Sequence, residues 1–259
     1  MPDLRLAPFA KVNLGLFIKG KREDGYHLLE TCLYPLPELH DELVISTNGS
    51  KGCTLTVEGL EIDAISDDNL CVKAYKLLAE KLGGLAGVDV HLTKHIPAGA
   101  GLGGGSSDAA HMIKGLVTLF DLDISIEEQE EVAGKLGADV PFFLHEGPMM
   151  ASGIGTELKP IQIDLPYRLE WKVPGIHSST IAAYKALDYK MFNPERSLAD
   201  VLQQPIESWK GQLENDLEVP VFGFYPELRK MKEAYYEAGA AYAAMSGSGS
   251  TVFALMPES

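Results

Sequence analysis

The sequence predicts an α+β protein of two domains. Three features predict it: alternating apolar runs that open the chain, helical apolar spacing through its middle, and a closing stretch that mixes helices with a glycine-turned strand pair. At 259 residues and 46% hydrophobic composition the chain can bury a substantial core, and its length fits one large domain or two modest ones. The run of central helices is spent by Gly147 and Pro148, which places the domains at 1–148 and 149–259.

From Leu4 to Ile18 the pattern alternates, with Ala10, Val12, Leu14, Leu16 and Ile18 on one face and Phe9, Lys11, Asn13 and Phe17 on the other. That is a strand. A turn signal at residues 21–25 makes the run from Tyr26 to Leu36 its returning partner, and shorter β runs follow around Glu42–Thr47 and Cys53–Glu58. Ser66 to Asn69 offer helix caps, and Leu70, Cys71, Ala74, Leu77, Leu78 and Leu82 recur at helical spacing until Gly83 and Gly84. Val88, Val90 and Leu92 alternate as a further strand, and the helix after residue 108 shows in Ala109, Met112, Ile113, Leu116, Val117 and Phe120. Ser125 and Glu128 match a capping box, and Gly137 is expected to end that helix in the left-handed conformation. Beyond residue 148 the pattern gives a strand at Arg168–Val173, helices from Ser179, Ser197 and Pro226, and strands at Ala240–Met245 and Thr251–Met256 joined by a Ser/Gly turn. Such a mixture predicts helices packed on a small antiparallel sheet.

Between the fifth predicted strand and the helix after it lies Pro97-Ala98-Gly99-Ala100-Gly101-Leu102-Gly103-Gly104-Gly105-Ser106-Ser107-Asp108. Five glycines are expected to take positive φ and let the backbone approach an anion, and the following helix offers free N–H groups and its positive dipole end. Ser106 and Ser107 add hydroxyls for a phosphate oxygen or a metal-bound water. A Walker loop is excluded because Gly105 stands where its lysine belongs. Gly99 to Gly104 do match the dinucleotide pattern GxGxxG, but that fold requires alternating parallel strands and helices, and this chain opens on successive β runs. A protein-kinase glycine loop lies between two strands, and no HRD or DFG triplet occurs. The plain alternative is a loop rich in glycine only for tight helix packing.

The loop resembles the Pro-x-x-x-Gly-Leu-Gly-Ser-Ser-type hallmark of the GHMP kinase superfamily. Further stretches are similar to the branch acting on a cytidine-diphosphate-linked methylerythritol: Ala10 to Leu14, Asp24 to His27, Asp68 to Leu70, Gly137 to Pro141, Asn215-Asp216 and Gly247-Ser248-Gly249. The resemblance implies a two-domain fold, the N-terminal domain like the second domain of ribosomal protein S5 and the C-terminal one ferredoxin-like, with the active site between them. It also implies transfer of the ATP γ-phosphate to the substrate 2-hydroxyl, a step of the non-mevalonate isoprenoid route. Mevalonate or homoserine kinases of the same superfamily, and a non-catalytic nucleotide-binding relative, are the alternatives.

The same resemblance assigns roles. Asp139 and Lys11 match the catalytic pair, the aspartate as base on the attacking hydroxyl. Without it, Asp139 would read equally well as a helix cap, and Lys11 with Asn13 as the wet side of an edge strand. Tyr26 and His27 match positions that hold a cytosine ring, Tyr184 replaces a common Phe partner, and Thr180 is a substrate-contacting hydroxyl. Asn69 aligns with an adenine-side position, or is a cap. Pro97, Gly99, Gly101 to Gly105, Ser106 and Ser107 would take the ATP phosphates, and Lys94, on the apolar face just before the loop, reads as a ligand contact. His95 stands where a more basic residue is expected, and Gly247 to Ser250 are expected to support the loop. Magnesium is expected with ATP, its ligands unassigned.

A formal charge of -15 argues against a general nucleic-acid binder and requires any phosphate site to be made locally. Three cysteines at unrelated spacings, Cys32, Cys53 and Cys71, predict a reduced, cytoplasmic setting. No run of about 18 apolar residues predicts a membrane span. The partner is expected to be a small molecule bearing a cytidine diphosphate group, and the protein a monomer or homodimer.

Overall fold

The computed structural model describes residues 3–61, 68–188, 190 and 192–258. The chain forms two compact units, and neither is a single stretch: one holds residues up to Lys11, Leu36–Ala98 and Gly103–Glu146, the other Val12–Pro35, Gly99–Leu102 and Gly147 onward. The change of unit at 146/147 lies near the expected boundary, while 12–35 and 99–102 group with the later residues.

In the first unit, strands β1 (Leu4–Leu6), β4 (Glu42–Lys51), β6 (Ala86–Lys94) and β5 (Cys53–Gly59) form a sheet in the order β1-β4-β6-β5. Only β5 and β6 pair in parallel, as they must when the chain between them crosses through helix α1 (Leu70–Lys81). Leu43, Ile45, Val88, Val90 and Leu92 of this sheet are buried, as are Ala109, Met112, Ile113 and Leu116 of α2 (Gly104–Leu119), which packs on α1 and β4. Asn69 caps α1, its side-chain oxygen accepting from the Cys71 N–H at 2.9 Å, while the Ser66 and Asp67 caps expected from sequence lie outside the described residues. Helix α3 (Ile126–Gly134) begins at the expected capping box: Ser125 Oγ accepts from the Glu128 N–H at 3.3 Å, and Glu128 Oε2 from the Ser125 N–H at 3.0 Å.

In the second unit most of β2 (Phe9–Lys21) and β3 (His27–His40) continue into β7 (Met149–Ser152) and β8 (Glu157–Pro160), in the order β2-β3-β7-β8. A separate antiparallel sheet, β10-β11-β9, consists of Tyr242–Met245, Val252–Pro257 and Tyr167–Lys172. Its helices are α4 (Thr180–Lys185), α5 (Leu198–Leu202), α6 (Glu218–Phe224) and α7 (Pro226–Glu237). The core joins Leu16, Ile18 and Leu29 to Val221, Phe222, Leu228 and Tyr235 and to Ala243, Met245, Val252 and Ala254 of the small sheet. Among the described residues no helix is long and apolar enough to cross a membrane.

Several expectations are corrected. The single strand expected over Leu4–Ile18 is two, in different sheets, because Pro8 has no N–H for a ladder; its carbonyl instead accepts from the Asp41 N–H at 2.8 Å. Gly137 does not take positive φ: the Ala133 carbonyl accepts from both Leu136 and Gly137 N–H groups, so right-handed winding continues past α3. Strands β7 and β8 and helix α6 are additional to the elements read from the sequence, α6 hidden by Pro220 and Gly223, although a first-turn proline costs a helix nothing. The capping box yields a stability test: Ser125→Ala should lower unfolding free energy by about 1 kcal/mol in a denaturant melt, and Ser125→Asp by less.

Candidate active site

Three of the five loop glycines use the freedom expected of them. Gly99, Gly101 and Gly103 have φ of +65°, +79° and +73°, whereas Gly104 and Gly105 lie in the first turn of α2 without positive φ. Gly104 is small for another reason: a Cβ there would sit 2.8 Å from the Ile96 side chain. Pro97 is half-buried, Leu102 is buried and anchors the loop, and Ser107 is buried beside His111, leaving Ser106 as the serine of the pair with exposed surface. Burial holds the His111 pKa down to about 4, so its Nδ1 is a neutral donor to the Ser107 carbonyl, at 2.9 Å.

At the downstream end of the loop, a Cβ on Gly103 would meet Phe143 at 2.8 Å and the Cε of Lys11 at 3.3 Å. Gly103 therefore lets the loop backbone lie against the lysine stem. The Lys11 ammonium is 3.5 Å from Asp139 Oδ2; the lysine side chain is 4% exposed and the aspartate 43%. Neither plain reading survives. Nine consecutive residues of β2, Ala10 to Ile18, are buried, so Lys11 and Asn13 do not face solvent from an edge. The 3₁₀ turn Pro141–Leu144 has Val140 at its cap position and no side-chain cap bond, so Asp139 does not cap it.

Lys94 is where the sequence reading needs revision. Its ammonium is buried between two buried carboxylates, donating to Asp41 Oδ2 and, at 2.6 Å, to Asp108 Oδ2 on the second turn of α2. The group expected to meet a ligand is thus committed inside the protein, because β6 keeps its alternation through Lys94 and turns the side chain into the core. Burial alone would lower the Lys94 pKa, but the two carboxylates reverse this and raise it; burial pushes Asp108 up to about 7 against the pull of Lys94. His95 is exposed, its ring 3.6 Å from Glu42 and its N–H on Asp41 Oδ1 at 2.5 Å.

The second unit holds residues 99–102 closely. Ser246 Oγ donates to the Gly101 carbonyl at 2.8 Å, the Thr251 N–H to that of Ala100 at 3.1 Å, and a Cβ on Gly101 would fall 2.1 Å from the Ser246 carbonyl oxygen. Asn215 fixes this turn by donating to the Met245 and Gly247 carbonyls at 2.8 and 2.7 Å. Asn13 donates to Thr31 Oγ1 at 2.9 Å and accepts from Ser246 Oγ at 3.4 Å. Nearby in sequence, Tyr26 is 62% exposed, while the His27 and Tyr184 rings lie 4.7 Å apart, tilted by 35°. Burial, then Lys21, lowers the His27 pKa, keeping the ring neutral. Thr180, one turn before Tyr184 on α4, shares a 2.7 Å hydrogen bond with Ser248.

Sequence reasoning missed Asp41, Thr31 and Ser246. The first two are single polar residues in β-rich surroundings with no motif to mark them; Ser246 opens the Ser/Gly turn and could have been suspected from it.

A glycine loop running into a helix N-terminus, with an ammonium beside Gly103 and a half-exposed carboxylate 3.5 Å from that ammonium, is the equipment of a phosphotransferase acting on a small molecule. The sequence matches "GHMP kinases N terminal domain" over residues 69–147 and "GHMP kinases C terminal" over 198–259. A 4-diphosphocytidyl-2-C-methyl-D-erythritol kinase of Bacteroides fragilis is 45% identical over 251 residues, covering 96% of this chain and 90% of that one, and one of Cytophaga hutchinsonii matches equally well. The crystal structure of a 4-(cytidine 5'-diphospho)-2C-methyl-D-erythritol kinase superposes with a TM-score of 0.83 at 36% identity, covering 97% of this chain and 90% of that one. A Methanococcus jannaschii mevalonate kinase shares the fold, with a TM-score of 0.71 at 14% identity over 98% of this chain and 91% of that one. The chain belongs to the 4-diphosphocytidyl-2-C-methyl-D-erythritol kinase family of the GHMP kinases, and is an ATP-dependent small-molecule kinase.

Gly101 offers the sharpest test of the loop's packing. Gly101→Ala adds a Cβ where a backbone oxygen already sits and strains a positive φ; it should lower both ATP affinity, read by calorimetry, and the thermal midpoint.

Proposed function

We propose that the protein transfers the γ-phosphate of ATP to the tertiary 2-hydroxyl of 4-diphosphocytidyl-2-C-methyl-D-erythritol, giving the 2-phosphate and ADP, a step of the non-mevalonate route to isoprenoids. The observation that carries this reading is the Lys11–Asp139 pair beside Gly103 at the end of the phosphate loop.

In the reaction the substrate 2-hydroxyl oxygen forms a bond to the γ-phosphorus as the bond from that phosphorus to the bridging oxygen breaks, and ADP leaves with the electron pair. The hydroxyl proton passes to the Asp139 carboxylate, whose exposed side can meet a substrate. An aspartate is a weak base at neutral pH, so the arrangement relies on positioning and charge stabilisation more than on basicity. Lys11, buried along its stem and lying against Gly103, would place its charge beside that carboxylate and the developing phosphoryl charge. The α2 N-terminus and the positive-φ glycines from Gly99 to Gly103 would take the phosphates through backbone N–H groups.

Tyr26, His27 and Tyr184 would receive the cytosine ring, with Thr180 and Asn13 as polar contacts to the rest of the substrate. A neutral His27 can donate from one ring nitrogen and accept at the other, which suits a base edge carrying both kinds of group. Asn69 would meet the adenine side through its amide nitrogen, its oxygen being used by the α1 cap.

Among the described residues no group of three or more His, Cys, Asp or Glu side chains is arranged to hold a metal. Magnesium would be carried by the nucleotide's own phosphates, and of the two loop serines Ser106 is the one with exposed surface to offer it or its waters. When bound, the ion would neutralise phosphate charge. The two-domain division at 148, the S5-like and ferredoxin-like descriptions and a monomeric or dimeric state belong to the same reading.

Three measurements test it. A coupled ADP-release assay should show turnover with the cytidine substrate and little with mevalonate or homoserine; equal turnover on all three would sink the substrate assignment. Asp139→Asn should reduce kcat by about two orders of magnitude or more with the KM for ATP nearly unchanged, and undiminished turnover would remove Asp139 from the mechanism. Asn69→Ser keeps a cap-competent oxygen but loses the amide nitrogen, so the thermal midpoint should hold while the KM for ATP rises; an unchanged KM would leave Asn69 a cap alone.

A further inference from the structure

Outside the residues assigned to the reaction, the most unusual feature is the buried cluster of Asp41, Lys94 and Asp108: two carboxylates and one ammonium, each no more than 3% exposed. Isolated charges are costly to bury, and a lysine between two carboxylates leaves one negative charge over when all three are ionised. A core that needed only apolar packing would be simpler with three hydrophobic side chains.

The contacts show what the cluster joins. Asp41 stands just before β4 and is itself fixed by its N–H on the Pro8 carbonyl at 2.8 Å. Its Oδ1 accepts from the His95 and Ile96 N–H groups at 2.5 and 2.8 Å, the last two residues before Pro97. Its Oδ2 accepts from Lys94, which reaches on to Asp108, the fifth residue of α2. The Lys94 carbonyl is pinned as well, accepting from the Leu60 N–H at 3.0 Å, with Gly59 so close that a Cβ there would lie 2.3 Å from that oxygen. The chain entering the phosphate loop and the helix leaving it are therefore tied to one buried carboxylate through one lysine. The loop between them contains three positive-φ glycines and would otherwise be free to vary its span.

We infer that Asp41 and Asp108, acting through Lys94, are positioning residues for ATP: they set the separation and angle between the end of β6 and the first turn of α2, and hence the placing of the N–H groups that receive the phosphates. None of the three touches the nucleotide. This rests on the loop being the phosphate site, as proposed above. Asp108 engages Lys94 through Oδ2 only, and its Oδ1 has no hydrogen-bond partner, so an asparagine can replace it with the amide oxygen toward Lys94 and the NH₂ in the place of Oδ1.

The test measures ATP binding by titration calorimetry in the presence of Mg²⁺, with CDP as the probe for the cytidine side, on the full chain and on Asp108→Ala, Asp108→Asn and Asp41→Asn. Asp108→Ala severs the helix from the lysine and should weaken ATP binding by about tenfold or more while CDP binding stays unchanged. Asp108→Asn should restore ATP binding to within about threefold of the unaltered protein. If Asp108→Ala fails to fold, Asp41→Asn takes its place; its amide keeps an acceptor for the two N–H groups but turns a donor on Lys94, and it should weaken ATP alone. A purely structural role would lower the thermal midpoint and leave the ATP affinity of the folded protein as it was, and that result overturns the inference. Equal loss of ATP and CDP binding overturns it too. An unaltered protein that does not bind ATP would instead refute the loop as the phosphate site.

Discussion

The arrangement depends on backbone approaching where no side chain fits. Gly103 in left-handed backbone lies against Phe143 and the stem of Lys11, and that contact puts the lysine charge 3.5 Å from Asp139. Gly101 lies so near the Ser246 carbonyl that a single methyl would collide with it. Residue-sized tolerances at these two points decide where the loop can be. The hydroxyl of Ser246, the N–H of Thr251 and the amide of Asn215 then hold what the glycines have made possible.

Charge imposes the second constraint. With a formal charge of -15, the chain as a whole repels a triphosphate, so attraction must come from local groups. Backbone N–H groups at the start of α2 supply it without a mobile side chain, and Lys11 supplies one ammonium where charge develops. Lys94, the other lysine beside the loop, has its charge answered from within the protein. Its contribution is to geometry, and the attraction of phosphate falls to the backbone and Lys11.

Most elements of the first unit were legible because their signals are local. Alternation marked the strands, Ser125 with Glu128 marked a helix start, and the loop motif stood out by composition. What could not be read depends on distant partners. Nothing near Asp41 in sequence says that residues 94–96 and 108 will converge on it, and nothing in the alternation of β2 says that both its faces will be covered. Gly104 and Gly137 failed as conformational signals for the same reason: glycine reports either a positive φ or a lack of room, and only the neighbours tell which. Roles such as the catalytic pair came from resemblance, whereas strand alternation alone would have left Lys11 facing solvent.

Phosphorus NMR of the reaction mixture examines the central claim most directly, because it reports which hydroxyl was phosphorylated. The carbon bearing the 2-hydroxyl has no hydrogen, so phosphate placed there has no three-bond coupling to a proton on its own carbinol carbon. ATP and the cytidine substrate should yield ADP and a new phosphate monoester resonance lacking that coupling. A monoester split by an adjacent C–H proton, or release of inorganic phosphate with the cytidine substrate unchanged, would contradict it.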